Sequence, residues 1–148
     1  MLLTHISLIG DLYTMINIKL VQPKLTDVDF KFALTPPSDG SAQLEIGAKF
    51  NFKINFTADN CHCVATLQHI AEYTEDPSLF HVNITYEGFF ETPEIKNDDD
   101  KKAIHIQAYY HLFPYVQIMT NHLVVSSGLQ PLFFQPIDMT EDMVSIQD

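Results

Sequence analysis

Between residues 27 and 91 the chain alternates apolar and polar side chains with a period of two, and few architectures satisfy that pattern. Successive side chains of a strand point to opposite faces, so strict alternation means strands with one dry and one wet face. Val28, Phe30, Phe32 and Leu34 are apolar, with Asp27, Asp29 and Lys31 between them. The pattern stops at Thr35, Pro36, Pro37, Ser38, Asp39 and Gly40, a turn cluster in which proline cannot continue a ladder. It resumes as Leu44, Ile46, Ala48, Phe50, Phe52, Ile54 and Phe56, interleaved with Glu45, Lys49, Asn51, Lys53 and Asn55. Gly47 is expected to mark a bend or bulge that divides a run too long for one flat strand. A turn at residues 58–60 leads into a third strand carrying Cys63, Ala65, Leu67, Ala71 and Tyr73. Glu75, Asp76, Pro77 and Ser78 connect it to a fourth, with Phe80, Val82, Ile84, Tyr86 and Phe90 on one face and His81, Asn83, Thr85 and Glu87 on the other. Upstream, Ile16, Ile18 and Leu20 predict a further short strand that ends near Pro23. Alternation with short turns predicts an antiparallel sheet.

After Asn97 the period lengthens. Asp98, Asp99 and Asp100 suit the positive N-terminal end of a helix. Tyr109, Leu112, Phe113, Val116, Met119 and Leu123 then recur at intervals of three and four, which is helical spacing. Pro114 lies inside this run, where it either kinks the helix or opens a new one as its first residue. Phe113 or Tyr115 is expected to pack against the sheet. The helix should stop at Gly128, with Pro131 just beyond. An extended apolar stretch through Leu132, Phe133 and Phe134 follows, and the end is acidic. Strands come first and the helix last, so the class is α+β: a four-stranded antiparallel sheet followed by one main helix, in a single domain over residues 1–148.

Charge and motifs narrow the function. Nineteen acids against eight lysines, with no arginine, give a formal charge of -11, which repels phosphate backbones and argues against nucleic acid. No stretch reaches about 18 uninterrupted apolar residues, so membrane insertion is not expected. Residues 1–10 are apolar but carry no lysine, and Asp11 follows, so no signal peptide is expected either. Two cysteines, Cys61 and Cys63, provide no disulfide framework, which favours a reducing, cytoplasmic setting. Cys61, His62 and Cys63 lack the second ligand pair of a zinc site, and His105, His111 and His122 do not form a ligand pattern. Asp98 to Asp100 with Lys101 and Lys102 read as a solvated helix cap. No phosphate-binding glycine loop, nucleophile elbow or zinc-protease motif occurs. No metal, no cofactor and no enzymatic activity are expected.

The block Leu112, Phe113, Pro114, Tyr115, preceded by Ala108 and Tyr109, leads to Ser127 and Gly128, and then to Pro131, Pro136 and Ile137. This arrangement resembles the SecB protein-export chaperone family, in which such a block opens the main helix and a proline-spaced run follows it. The sheet is similar too: residues 24–34, 50–58, 61–74 and 79–92 correspond to the family's four strands, with Gly88 before an aromatic residue in the fourth. The resemblance covers residues 16–138. Residues 1–14 have no counterpart, and Met15 is a second candidate start. Where the family has a second helix after Asp138, this chain has Met139, Thr140, Glu141, Asp142 and Met143, so that helix is expected to be reduced or absent.

The resemblance implies an ATP-independent holdase that binds unfolded polypeptides, with precursor proteins for export as the client class. It also implies a homotetramer built as a dimer of dimers. Eleven Phe and six Tyr exceed what one sheet face and one helix require, and apolar grooves bordered by aromatic rings are the expected client sites. Phe80, Tyr86, Phe89 and Tyr109 are the candidate client contacts. The export ATPase SecA is the partner the resemblance implies, docked on acids of the wet sheet face; Asp27 matches one such acid, and Asp29 and Glu87 lie near it. Lys31 and Asn83 stand where the family pattern has acids, so weak SecA binding is expected. Two other readings stay open: a SecB-like protein dedicated to one partner, as in a toxin–antitoxin-linked chaperone, and a small-molecule binding protein.

Overall fold

A computed structural model describes residues 17–33 and 45–140. Expectations placed on residues 1–16, Leu34, the turn at 35–40, Leu44 and the acidic end 141–148 lie outside these. Among the described residues four strands, β1 (Lys19–Phe32), β2 (Ile46–Phe56), β3 (His62–Tyr73) and β4 (Phe80–Glu91), precede one helix, α1 (Asp98–Ser126). All neighbouring pairs are antiparallel and the sheet order is β1-β4-β3-β2, so the most regularly alternating strands are the central ones. The α+β class and the sheet-then-helix order stand as the alternation predicts.

β3 and β4 alternate strictly: Cys63, Ala65, Leu67, His69 and Ala71 are buried on one side of β3, and Phe80, Val82, Ile84 and Phe90 on the same side of β4. This inner face carries α1, whose Ile104, Ala108, Leu112, Val116 and Val124 are buried against it. At Gly88 helix and sheet approach closely. A Cβ built there would stand 2.8 Å from Phe90 Cε2, 2.9 Å from Leu112 Cδ2 and 3.0 Å from Leu20 Cδ1. A glycine lets the Leu112 side chain sit directly on the β4 backbone.

Three expectations are corrected. The short strand thought to end at Pro23 is part of β1, which runs through the proline to Phe32. β1 is an edge strand, where proline is tolerated, and its register shifts between Leu20 and Gln22 and again between Leu25 and Asp27 absorb one residue each. Gly47 makes no bulge: β2 pairs with β3 in unbroken register from Ile46 opposite Tyr73 to Phe56 opposite Cys63. Its role is steric, since a Cβ would lie 3.0 Å from Thr74 Cγ2. Pro114 does not open a helix, and the Leu112-to-Tyr115 block lies inside α1. Burial of Tyr109, Leu112 and Val116 on either side offsets the hydrogen bond that proline forfeits, about 3 kcal/mol.

The helix ends are explained locally. Asn97 is extended, and its side-chain oxygen accepts from the Asp100 N–H at 2.9 Å, with three aspartates in the first turn. At the other end Gly128 adopts φ 86°. Its N–H donates to Val125 O at 3.0 Å and that of Leu129 to Val124 O at 3.3 Å, the paired bonds of a Schellman stop. Beyond it, residues 129–140 form neither helix nor strand. Side chains of α1 hold this tail along the β2 side of the helix.

Candidate functional site

The sheet has two faces of opposite character, and the four aromatic candidates divide between them. On the inner face Phe80 is fully buried, with edge-on contacts to Phe30 and Phe32 at centroid separations of 6.4 and 6.5 Å. Tyr109 is also buried; its ring packs at 5.7 Å from Phe50 and its hydroxyl accepts from the Ile137 N–H at 3.0 Å. Desolvation raises the pKa of that hydroxyl. Tyr86 is half-buried and lies 5.7 Å from the exposed Tyr115 ring. Phe89 points the other way. It is exposed on the outer face and stacks on His62, with centroids 5.3 Å apart and planes 15° apart. Phe80 therefore belongs to the buried face of the sheet, Tyr109 to the helix where it packs on β2, Tyr86 borders the open part of the inner face, and Phe89 is separate from all three.

α1 covers the middle of the inner face and leaves apolar surface toward β1. Leu25, opposite Tyr86 in register, and Val28, opposite Ile84, stay exposed, as do Tyr115 and Ile118 on the facing side of the helix. An open cavity of about 680 Å³ lies here, lined by Ile18, Leu20, His111, Pro114, Tyr115 and Ile118. A second, of about 460 Å³, continues from His111 to Tyr110, Asp138 and Met139. The lining is mostly rings and aliphatic carbon. Burial lowers the pKa of His111, which keeps it neutral near pH 7.

On the β2 side the tail closes the inner face. Phe134 rests on His69 at 5.0 Å, and Phe113 lies 6.5 Å from the same imidazole, so the expected packing of Phe113 toward the sheet is found. Between tail, helix and β2 remains a cavity of about 180 Å³ lined by Phe50, His69, Tyr109, Phe113, Phe134 and Ile137. His69 is the residue the sequence reading passed over. It occupies an inward position of β3 between Leu67 and Ala71, and the alternation of that strand was the available signal.

The outer face is polar and of mixed charge. Asp27, Asp29 and Glu87 all lie on it, opposite Thr85, Asn83 and Lys24 respectively. A row of polar contacts crosses all four strands: Asp29 Oδ2 is 3.6 Å from His81 Nε2, His81 Nδ1 is 3.3 Å from Glu72 Oε2, and Glu72 Oε1 is 3.6 Å from Lys49 Nζ. Beside it, Gln68 donates to Asn83 at 3.2 Å and Asn51 donates to Gln68 at 3.1 Å. Lys31 is the register partner of His81, so this edge of the face is not a uniform acidic patch. At the far end the Thr57 hydroxyl, the Cys61 N–H and the His62 imidazole hold the Asp59 carboxyl down to about 2.

Cys61 lies in the β2–β3 turn and Cys63 is buried, its thiol pushed up to about 12 by desolvation. Among the described residues no three His, Cys, Asp or Glu side chains gather as a metal-ligand set. Among the same residues no helix is long and apolar enough to cross a membrane.

Comparison with known proteins gives one consistent result. Residues 17–142 match the family model described as preprotein translocase subunit SecB. The protein-export protein SecB of Orientia tsutsugamushi (strain Boryong) is 24% identical over 104 residues, which cover 70% of this chain and 65% of that protein. The chain thus spans just under two thirds of that relative's length. The protein-export protein SecB of Caulobacter vibrioides (strain NA1000 / CB15N) is 25% identical over 124 residues, 82% of this chain and 76% of the relative. Among solved structures, the SecB-like chaperone Rv1957 of Mycobacterium tuberculosis, in complex with a ChAD peptide from the Rv1956 HigA1 antitoxin, superposes with a TM-score of 0.63 at 12% identity. That match covers 82% of this chain and 88% of the other.

Proposed function

Because this chain belongs to the SecB family, whose model matches residues 17–142, we propose that it is an ATP-independent holdase that keeps polypeptides unfolded for export from the cytoplasm. The observation that carries this reading is the apolar surface beside α1, where Leu25, Val28 and Tyr115 are exposed around Tyr86. Extended segments of many sequences bind such a surface by burying alternate apolar side chains, with no single shaped pocket required. Tyr86 is a direct client contact there, whereas Phe80, packed on Phe30 and Phe32, and Tyr109, packed on Phe50 and Phe52, are buried core rings away from that surface. Phe89, with its ring on His62, offers a separate contact on the outer face. Suppression of aggregation of a denatured model protein tests the reading. Suppression should be near complete at stoichiometric chaperone and should persist in high salt, because apolar burial is not screened. Loss of suppression at modest salt, or none at all, overturns it.

Assembly belongs to the same proposal. Ile118 is 68% exposed and Val125 50% exposed on a helix ridge that the sheet does not cover, which supports a dimer of dimers formed through that ridge. Docking of SecA is a distinct matter. Asp27, Asp29 and Glu87 are the acids available to it, but Lys31 lies next to His81 and Asn83 is engaged with Gln68. A basic partner segment meets a diluted charge on this face, which favours weak binding or one dedicated partner other than SecA.

A further inference from the structure

We infer that residues 129–139 occupy, as a ligand within the chain, a groove between α1 and β2 that takes extended polypeptide, and that a bound client displaces them; this rests on the holdase reading.

The tail is held by its backbone. Gln117 Nε2 donates to Leu132 O at 2.9 Å, and Asn121 Oδ1 accepts from Leu132 N at 2.8 Å. Farther along, Tyr109 accepts from Ile137 N at 3.0 Å. Tyr110 donates to Ile137 O at 2.9 Å and accepts from Met139 N at 3.1 Å. Four helix side chains thus bond to main-chain groups that every non-proline residue carries, so their recognition is independent of sequence. Side chains add to this: Leu132 and Phe134 pack against the core with Phe133 between them 80% exposed, and Ile137 packs again after a break at Gln135 and Pro136. Main-chain hydrogen bonds with pockets for alternate side chains are how extended peptides are bound in general.

The fit of the tail is incomplete. Gln117 Oε1 is buried and has no hydrogen-bond partner, although its amide nitrogen holds the tail. His69, 93% enclosed, also leaves Nδ1 unpaired while lining the cavity under Phe134. A segment that brings an N–H to Gln117, or a polar group into the cavity, satisfies what the tail leaves open. The groove therefore holds its occupant by generic bonds and leaves room for a better one.

The test changes the tail and leaves the groove intact. Phe134→Ala removes the ring over His69; a reduced and alkylated model protein that cannot refold serves as the probe. The variant should bind this probe about tenfold more tightly than the parent, since a larger fraction of its grooves is open. Hydrogen exchange on the full-length parent gives the second reading: saturating probe should speed exchange at the Leu132, Ile137 and Met139 amides, whether or not the variant folds well. A synthetic peptide of residues 129–140 should also compete with the probe. Probe binding with those amides still protected, and with no competition, overturns tail displacement and leaves the holdase reading standing. Absence of probe binding by parent and variant alike overturns both.

Discussion

One contact between α1 and the sheet, Leu112 on Gly88, can be measured by a double substitution. Leu112 is fully buried, and its Cδ2 lies 2.9 Å from where a Cβ on Gly88 would stand. Leu112→Ala should cost about 3–4 kcal/mol, because the β4 backbone beneath it is fixed by ladders on both sides and cannot collapse into the cavity. Gly88→Ala alone should cost about 1–2 kcal/mol through crowding against Leu112, Phe90 and Leu20. In the double variant the new methyl occupies space that Leu112 has vacated. The two losses should therefore sum to about 1 kcal/mol more than the double variant shows, the remaining contacts with Phe90 and Leu20 limiting the relief. Urea unfolding at one fixed protein concentration is the assay, since any self-association makes stability concentration-dependent. Additivity within about 0.3 kcal/mol would refute the direct contact of helix and strand at Gly88.

Acid should weaken the fold before any carboxylate titrates. Burial lowers the pKa of His69, His105 and His111, so the unfolded chain takes up protons more readily than the folded one. Their stabilising effect is complete above about pH 6.5 and is lost as pH falls below it; the urea midpoint should drop between pH 7.5 and 5.5, and His69→Leu should flatten that slope. An unchanged midpoint across that range contradicts the burial of these imidazoles. Light scattering at micromolar concentration should report a tetramer or at least a dimer, and Ile118→Asp should shift it toward smaller species; a strict monomer for the parent removes the helix ridge as an interface. Calorimetry with a peptide from the basic SecA tail should give weak binding that Lys31→Glu strengthens, and a submicromolar constant for the parent contradicts the diluted-charge reading.

Much of the sheet was legible because period two is unambiguous where both faces of a strand are decided by burial. β3 and β4 are central, their inner residues enclosed by α1, so Cys63 to Ala71 and Phe80 to Phe90 announce themselves. β1 is an edge strand that keeps Val21, Leu25 and Val28 exposed, and there Pro23 looked like an end when it is only tolerated. The same parity also separates Phe89 from Phe80 and Tyr86, an odd position against even ones, before any coordinates are known. The tail groove could not be read in advance. Gln117 and Asn121 hold main-chain atoms of Leu132, and bonds from side chain to backbone leave no periodic trace in either partner. Pro114 left two readings open for a related reason: its local cost is plain in the sequence, whereas the packing of Tyr109, Leu112 and Val116 that keeps it inside one helix is tertiary.

The two thiols have a practical consequence. With a pKa near 12 and no exposed surface, Cys63 holds about one part in ten thousand as thiolate at pH 8 and is shut off from reagents. Cys61, two residues away in the β2–β3 turn, is partly open to solvent, and the chain has no third cysteine. A maleimide should therefore modify the native protein at one position without mutagenesis. A fluorophore placed there stands at the end of the sheet near His62 and Phe89, where quenching or anisotropy reports on whatever approaches the outer face.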